Sequence, residues 1–283
     1  MLTTPKRVAA VLSGREEFGA RVQASAVEQC EQRGDRFALL DAPFSTATRE
    51  DGVAAIKAWR ARFDSPYAAI YFPWLDVVDP RTGNGLRRIP PCGHVAGTFA
   101  WHDIEIGVHR APANRLLRWT QGPSWDLDDD RHAVLNMDAV NVIRAEGARG
   151  LRVMGARTLS SDPDWRFVNV RRLVTMVRKA LDRSTQWAVF EPNDFFTRSK
   201  ITLAVTEFLT ALWQRGALAG ATPEASFFVK CDEENNPAED RDRGLLSVAV
   251  GLAAAKPFEF IVVRVGRQGN ALRMAETTMR RVA

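Results

Sequence analysis

Apolar positions recur every three to four residues in some stretches of this chain and run unbroken in others, an order that predicts helices alternating with strands. From Glu16 to Arg33 the rhythm of Phe18, Val22, Ala26 and Cys30 predicts a helix stopped by Gly34. Phe37 to Asp41 reads as a short buried strand. A second helix over about Glu50 to Phe63 carries Val53, Ile56, Trp59 and Phe63 on one face, and Tyr67 to Phe72 is the next strand. Strand, helix and strand at this spacing form a βαβ unit, which favours a parallel pair joined by a right-handed crossover. A turn-rich loop follows at 79–85. Pro90-Pro91 then sets up a helix through Val95 and Phe99 to about Ile106, with Trp101 and Ile104 expected as core contacts.

In the second half, Val140 to Arg144 and Leu151 to Met154 read as two strands around a turn at 147–150. A long helix is expected from about Asp164 to Arg183. On it Val170, Leu173, Val174, Val177 and Leu181 form a core face, while Arg171, Arg172, Arg178 and Lys179 fall in a separate basic wedge. Trp187 to Phe190 reads as a short buried strand. Pro192 disfavours helix at Glu191, Asn193 or Asp194 can cap a new helix, and Ile201, Val205, Phe208 and Leu212 share its face until Gly216 stops it. Strands are expected over Ala225 to Asp232 and Leu245 to Leu252. Glu259, Phe260, Ile261, Val262, Val263, Arg264 and Val265 form the strongest strand, so apolar that both its faces should be covered.

These elements amount to an α/β fold, a mixed sheet with flanking helices. Residues 1–15 are expected as a short arm, with a loose or edge-strand character around Val8 to Leu12. Residues 16–265 form the core, divisible at about 115/116 into two subdomains. Residues 266–283, with four arginines and one glutamate, form a basic tail that orders on assembly.

Composition changes this picture little. The chain has 283 residues, 46% of them apolar and 26% charged, which is ordinary for a globular protein with a sizeable core. It contains no apolar run of about 18 residues, and its start is too weakly apolar for a signal peptide, so folding in the cytoplasm without membrane insertion is expected. Cys30, Cys92 and Cys231 lie far apart and suggest neither a disulfide framework nor a zinc cluster. The net charge is +5, but its distribution is more informative. Residues 147–183 carry nine positive and three negative side chains, and residues 232–243 carry six negative and two positive. Such segregation suits association between unlike patches or simply two solvated surfaces.

Candidate chemistry is sparse. Cys92 with His94 or His102 could form a thiol nucleophile and base, yet a cysteine beside a diproline fits a small buried residue better. His102, Glu105 and His109 are spaced for one helical face as metal ligands, but Gly107 interrupts that helix. Asp126 to Asp130 lacks the glycine and glutamate of a calcium loop and reads as a solvated helix start. Neither phosphate-binding glycine pattern follows a strand. The basic wedge at 171–179 lacks the interleaved aromatics of a nucleic-acid surface, so an acidic protein neighbour fits it better than nucleic acid. No enzyme, cofactor or metal is expected.

Several blocks give a more specific indication. Trp187-x-Val-Phe-Glu-Pro-Asn-Asp, the following helix, Gly216-Ala-Leu-x-Gly-x-Thr-Pro-Glu-Ala225 and Phe228-Val-Lys-Cys-Asp232 together resemble the C-terminal region of contractile tail sheath proteins. Those proteins form the outer sleeve of contractile phage tails, phage-tail-like bacteriocins and extracellular injection machines. Upstream, Tyr71 to Leu75, Pro90-Pro91 with Gly93 to Gly97, Gly107 to Asn114, Asn141 to Arg144, Gly155 to Leu159 and Val168 to Leu173 occur in the family's order. The resemblance covers roughly residues 20 to 265. It implies a mechanical subunit that stacks as hexameric rings around an inner tube and shortens when triggered, without a cofactor. Its implied partners are other sheath subunits, the inner tube protein, and baseplate and terminal cap proteins, in a particle assembled in the cytoplasm and released from the cell. In that family an N-terminal arm joins a neighbour's sheet together with another subunit's C-terminal strand, which marks Glu259 to Val265 as an intersubunit segment. Only 15 residues precede the first expected helix, which leaves open a reduced subunit, an end-of-sheath paralogue or a product lacking its N-terminal part.

Overall fold

A computed structural model describes residues 8–10, 16–44, 52–83, 85–254, 259–268 and 271–280. In chain order its elements are β1 (Val8–Ala10), α1 (Glu16–Arg33), β2 (Phe37–Asp41), α2 (Gly52–Arg60), β3 (Ala68–Phe72), β4 (Leu75–Val78), β5 (Leu86–Ile89), α3 (Cys92–Glu105), β6 (Arg115–Leu116), β7 (Gly122–Pro123), α4 (Asp129–Met137), β8 (Val140–Ala145) and β9 (Leu151–Val153). There follow α5 (Val168–Ser184), α6 (Phe195–Gln214), α7 (Pro223–Ser226), β10 (Phe227–Lys230), α8 (Ala238–Asp242), β11 (Leu246–Ala253), β12 (Glu259–Gln268) and β13 (Ala271–Arg280). Two compact units, 1–172 and 173–283, divide the chain inside α5 and not near residue 115. Beyond residue 115, the β8–β9 hairpin joins the same sheet as β2 and β3.

In the first unit six strands form one sheet in the order β1-β2-β3-β8-β9-β6. The first four are parallel, and β9 and β6 add antiparallel pairs, so the sheet is mixed as the alternation of elements implied. Continuous burial of β2 and β3 reflects their two covered faces. Ala38, Leu40, Ile70, Phe72, Val140 and Val142 face one layer with Val27 and Cys30 of α1, Ile56 and Trp59 of α2, and Leu135 of α4. Phe37, Leu39, Ala69, Tyr71 and Ile143 face the other, under Val95 and Phe99 of α3. A second sheet of three strands runs in the order β5-β4-β7. The expected start of α2 at Glu50 lies outside the described residues.

Asn141 explains why two separated blocks of sequence belong together. Its Nδ2 donates to the carbonyls of Ile70 (3.1 Å) and Arg157 (2.8 Å), and its Oδ1 accepts from Arg157 N (2.7 Å). A Cβ on Gly155 would stand 2.7 Å from that Oδ1, so only glycine lets the 154–157 segment approach this closely.

The second unit carries an antiparallel sheet in the order β10-β11-β12-β13, with α6 against β10. Asp194 caps α6 by accepting from Thr197 N at 2.8 Å. At the other end Gly216 adopts φ +70°, and Gly216 N and Ala217 N close back on the carbonyls of Trp213 and Leu212 (2.8 and 2.9 Å). This is a Schellman stop, with glycine where a side chain would strain the backbone. Asn193 Nδ2 reaches Leu245 O (2.7 Å), and Asn236 takes Ser247 N (2.7 Å) while donating to Ser247 O (2.9 Å). These amides fasten the loops at 193 and 236 to the start of β11.

Four expectations are corrected. Residues 186–188 form a 3₁₀ turn rather than a strand, and Trp187 and Phe190 are 46% and 99% exposed. Trp101 and Ile104 face outward on α3. The strand expected from Ala225 begins at Phe227, because Thr222 caps a helical turn first, accepting from Ala225 N. Within the segment read as a basic tail, Ala271–Arg280 form β13, paired with β12 along ten residue positions from Glu259↔Arg280 to Gln268↔Ala271. A partner strand satisfies the backbone groups that β12 would otherwise expose.

Asp41 makes a measurable prediction. At the end of β2 it is fully buried, and its Oδ1 accepts from Cys92 N at 2.9 Å. Burial pushes its pKa from 3.8 up to about 7, opposed by the hydrogen bonds from Cys92. Between those values the folded state holds a proton that the unfolded state has released, so raising the pH favours unfolding. Stability is expected to fall between pH 4 and 7 by up to ~1.4 kcal/mol per pH unit and then level off. Asp41→Asn keeps an acceptor for Cys92 N and should flatten that slope. Urea titrations at several pH values check this, and equal slopes in parent and variant would remove Asp41 as the cause.

Candidate assembly interface

The expected basic face of α5 is divided between buried and half-buried residues. Arg171 is 1% exposed, its guanidinium 4.4 Å from the Tyr67 ring centre and 4.2 Å from that of Trp165. Arg172 is 4% exposed, donates to Asp103 through its two terminal guanidinium nitrogens (Nη1 to Oδ1 3.0 Å, Nη2 to Oδ2) and stacks 4.8 Å from the Phe99 ring. Both arginines are internal fasteners, not a surface for an acidic neighbour. Arg178 and Lys179 are half-buried and each already engages another group.

Cys92 lies buried at the start of α3, and burial with the adjacent Asp41 raises its thiol pKa far above the usual value, the wrong direction for a nucleophile. His102 is buried with Nε2 3.1 Å from Arg110 O, and burial holds its pKa below the ordinary value. Glu105 is exposed, and His94 and His109 are half-buried. Among the described residues no group of three or more His, Cys, Asp or Glu side chains is placed to hold a metal ion. Among them, too, no helix is long and apolar enough to cross a membrane. Asp128 caps α4 by accepting from Arg131 N (2.8 Å), which gives the acidic run at 126–130 a structural use.

Three surfaces remain that a polymer could use. The first is the β12–β13 hairpin, which contains Glu259 to Val265 and places β13 at the end of its sheet. The second is a groove of about 470 Å³ in the second unit, lined by Leu181, Val189, Phe190, Ile201, Val205 and Leu245, with Phe195 and Phe196 exposed nearby in sequence. The third is a groove of about 970 Å³ in the first unit, where Arg87, Arg115, Arg118 and Arg152 meet Trp101 and Trp119. Sequence reasoning missed the two grooves. Their residues come from several elements and share no spacing, and the one available signal was the unexplained excess of aromatic residues at 187–196.

The chain matches the phage tail sheath protein central domain over residues 13–159 and the phage tail sheath C-terminal domain over residues 160–266. A prophage protein of Pseudomonas aeruginosa strain UCBPP-PA14, described as a major tail sheath protein, is 28% identical over 255 residues, covering 83% of this chain and 62% of the relative. A chain of the PVC extracellular contractile injection system sheath complex in its contracted state is 35% identical with a TM-score of 0.75, over 83% of this chain and 65% of that one. A chain of the anti-feeding prophage baseplate, six-fold symmetrised, is 30% identical with a TM-score of 0.74, over 86% and 63%. This chain therefore spans somewhat under two thirds of the length of the relatives it matches.

Proposed function

The chain belongs to the phage tail sheath protein family, and we propose on that premise that it is a structural subunit of a contractile sheath. In this reading copies stack as hexameric rings around an inner tube and pass from an extended to a contracted packing that drives the tube forward. Other sheath subunits, an inner tube protein, and baseplate and terminal cap proteins are its partners, in a tail or tail-like particle assembled in the cytoplasm. The observation that carries the proposal is the unbroken succession of the two sheath domains over residues 13–266, together with the likeness to a sheath chain in a contracted complex. A second reading, a subunit at the end of a sheath, is supported by the similar likeness to a baseplate chain.

The linking segment in this proposal is the β12–β13 hairpin, since a strand at a sheet edge offers unpaired backbone groups to another chain. Deleting residues 269–283 removes β13 and should leave the first unit folded by circular dichroism while tubular polymers disappear in negative stain. Tubes of parental length from the truncated chain would overturn the linking role. Rings without tubes from the parent, mixed with its inner tube protein, favour the end-of-sheath reading, and neither form of polymer overturns both.

A further inference from the structure

The groove in the first unit is strongly cationic and unpaid by any internal counter-charge. Its lining contains Arg87, Arg115, Arg118, Arg152 and His94 but no carboxylate. None of the four arginines forms a salt bridge among the described residues, although the next residue on β5, Arg88, is held by Asp76 through two bonds of 2.8 and 3.1 Å. Arg152 donates to the carbonyls of Asn114 (2.7 Å) and Arg149 (3.1 Å), and Arg118 lies 5.9 Å from the Trp101 ring centre. Backbone and ring contacts orient the Arg152 and Arg118 guanidinium groups while leaving their charge unneutralised.

Two further features point to an occupant. Trp119 is 90% exposed at φ +63°, a conformation unfavourable for a residue with a side chain, so the backbone displays an indole at the rim rather than burying it. Gly93 and Gly97 lie one turn apart on α3, are exposed and line the groove. Glycine inside a helix is destabilising relative to alanine, yet an added Cβ at either position would meet nothing within 4 Å. Packing within the chain therefore gives no reason for them, whereas another chain lying close against α3 does.

We propose that this groove receives the acidic segment 232–242 of a second copy of the same chain. The inference rests on the self-assembling reading above. That segment carries Asp232, Glu233, Glu234, Glu239, Asp240 and Asp242 against one arginine. Glu233 and Glu234 keep side-chain exposures of 81% and 80% even though each touches one basic residue. Asp232, Glu239 and Asp242 are likewise exposed. A carboxylate-rich loop and helical turn suit a slot of arginines edged by two indoles, and juxtaposing unlike patches fixes register between copies.

The test uses full chains with reversed charges. Arg87→Glu with Arg118→Glu makes a groove variant, and Glu239→Lys with Asp242→Lys makes a segment variant. Each alone should lose the tubular polymers in negative stain, and the salt-sensitive heavy species in sedimentation, that are expected of the parent. An equimolar mixture of the two should regain both, because each reversed surface then meets a reversed partner on another copy. Gly97→Leu should raise the melting temperature of the monomer and still abolish the heavy species. Parental behaviour of either reversed variant overturns the proposal. Failure of the mixture overturns it too, and rescue only when both reversals sit in one chain assigns the contact to a single copy. A parent that sediments as salt-sensitive oligomers but builds neither tubes nor rings keeps this contact while removing the sheath reading.

Discussion

Asp103→Ala is expected to destabilise the protein by about 3–5 kcal/mol, the usual cost of removing one partner from a buried ion pair. Arg172 and Asp103 keep only 4% and 6% of their side-chain surface, so the stranded guanidinium would have no water to replace the carboxylate. The Phe99 ring on its face cannot supply that charge. The pair joins α3 to the first turns of α5, elements far apart in sequence, and its loss should loosen α3 most. Hydrogen exchange of α3 amides and urea denaturation report this together. Adding Arg172→Met should recover much of the loss, because an apolar chain of similar length needs no counter-ion. A change under about 1 kcal/mol for Asp103→Ala would mean that water reaches the pair.

Leu209→Asp should abolish soluble folding, while Phe208→Asp should be far milder. Leu209 is 0% exposed in line with Ile201, Val205 and Leu212, whereas Phe208 is only half-buried. An unpaired carboxylate at Leu209 would have to remain protonated or expel itself from the core, and either outcome exceeds the ~4 kcal/mol that separates ordinary from severe substitutions. Soluble fraction and melting temperature decide the point. If Leu209→Asp melts within a degree or two of the parent, α6 is rotated from the orientation described.

That pair of residues illustrates what the sequence could and could not reveal. Local signals placed α6, a cap at Asn193 or Asp194 and the Gly216 stop, because each depends on neighbours within a turn, and the structure selects Asp194. Spacing selected Phe208 over Leu209 because both fit an i+3 or i+4 rhythm and only tertiary packing distinguishes them. The strands β2 and β3 were legible as continuous apolar runs, the signature of a sheet covered on both faces. Trp187 to Phe190 carried a similar local signature and is a turn, since a short apolar run does not say what will cover it. Arg171 and Arg172 fall outside the arc of Val170, Val174 and Val177 on a helical wheel, yet Tyr67, Phe99 and Asp103 cover them from more than 60 positions away. The strand β13 has a local signal in the sequence, the Gly269-Asn270 dipeptide, a type favoured in tight hairpins. The arginine groove had none, because it gathers side chains from β5, α3, β6 and β9 that only the fold brings together.

The outward indole at position 119 gives the molecule an optical property as well. Of its eight tryptophans, Trp59, Trp74 and Trp165 are buried, and Trp119 at 90% is by far the most exposed, ahead of Trp187 at 46% and Trp101 at 43%. An indole in water emits at longer wavelength and is quenched by dissolved iodide, whereas one covered by a neighbouring chain is shielded from both effects. Two of the three exposed emitters lie beside the arginines, so if copies join through that groove as proposed, the expected blue shift and loss of quenching would be dominated by it. On the proposed contact the chain would carry its own fluorophore for following assembly in real time, with Trp119→Phe as the blank against which the signal is read.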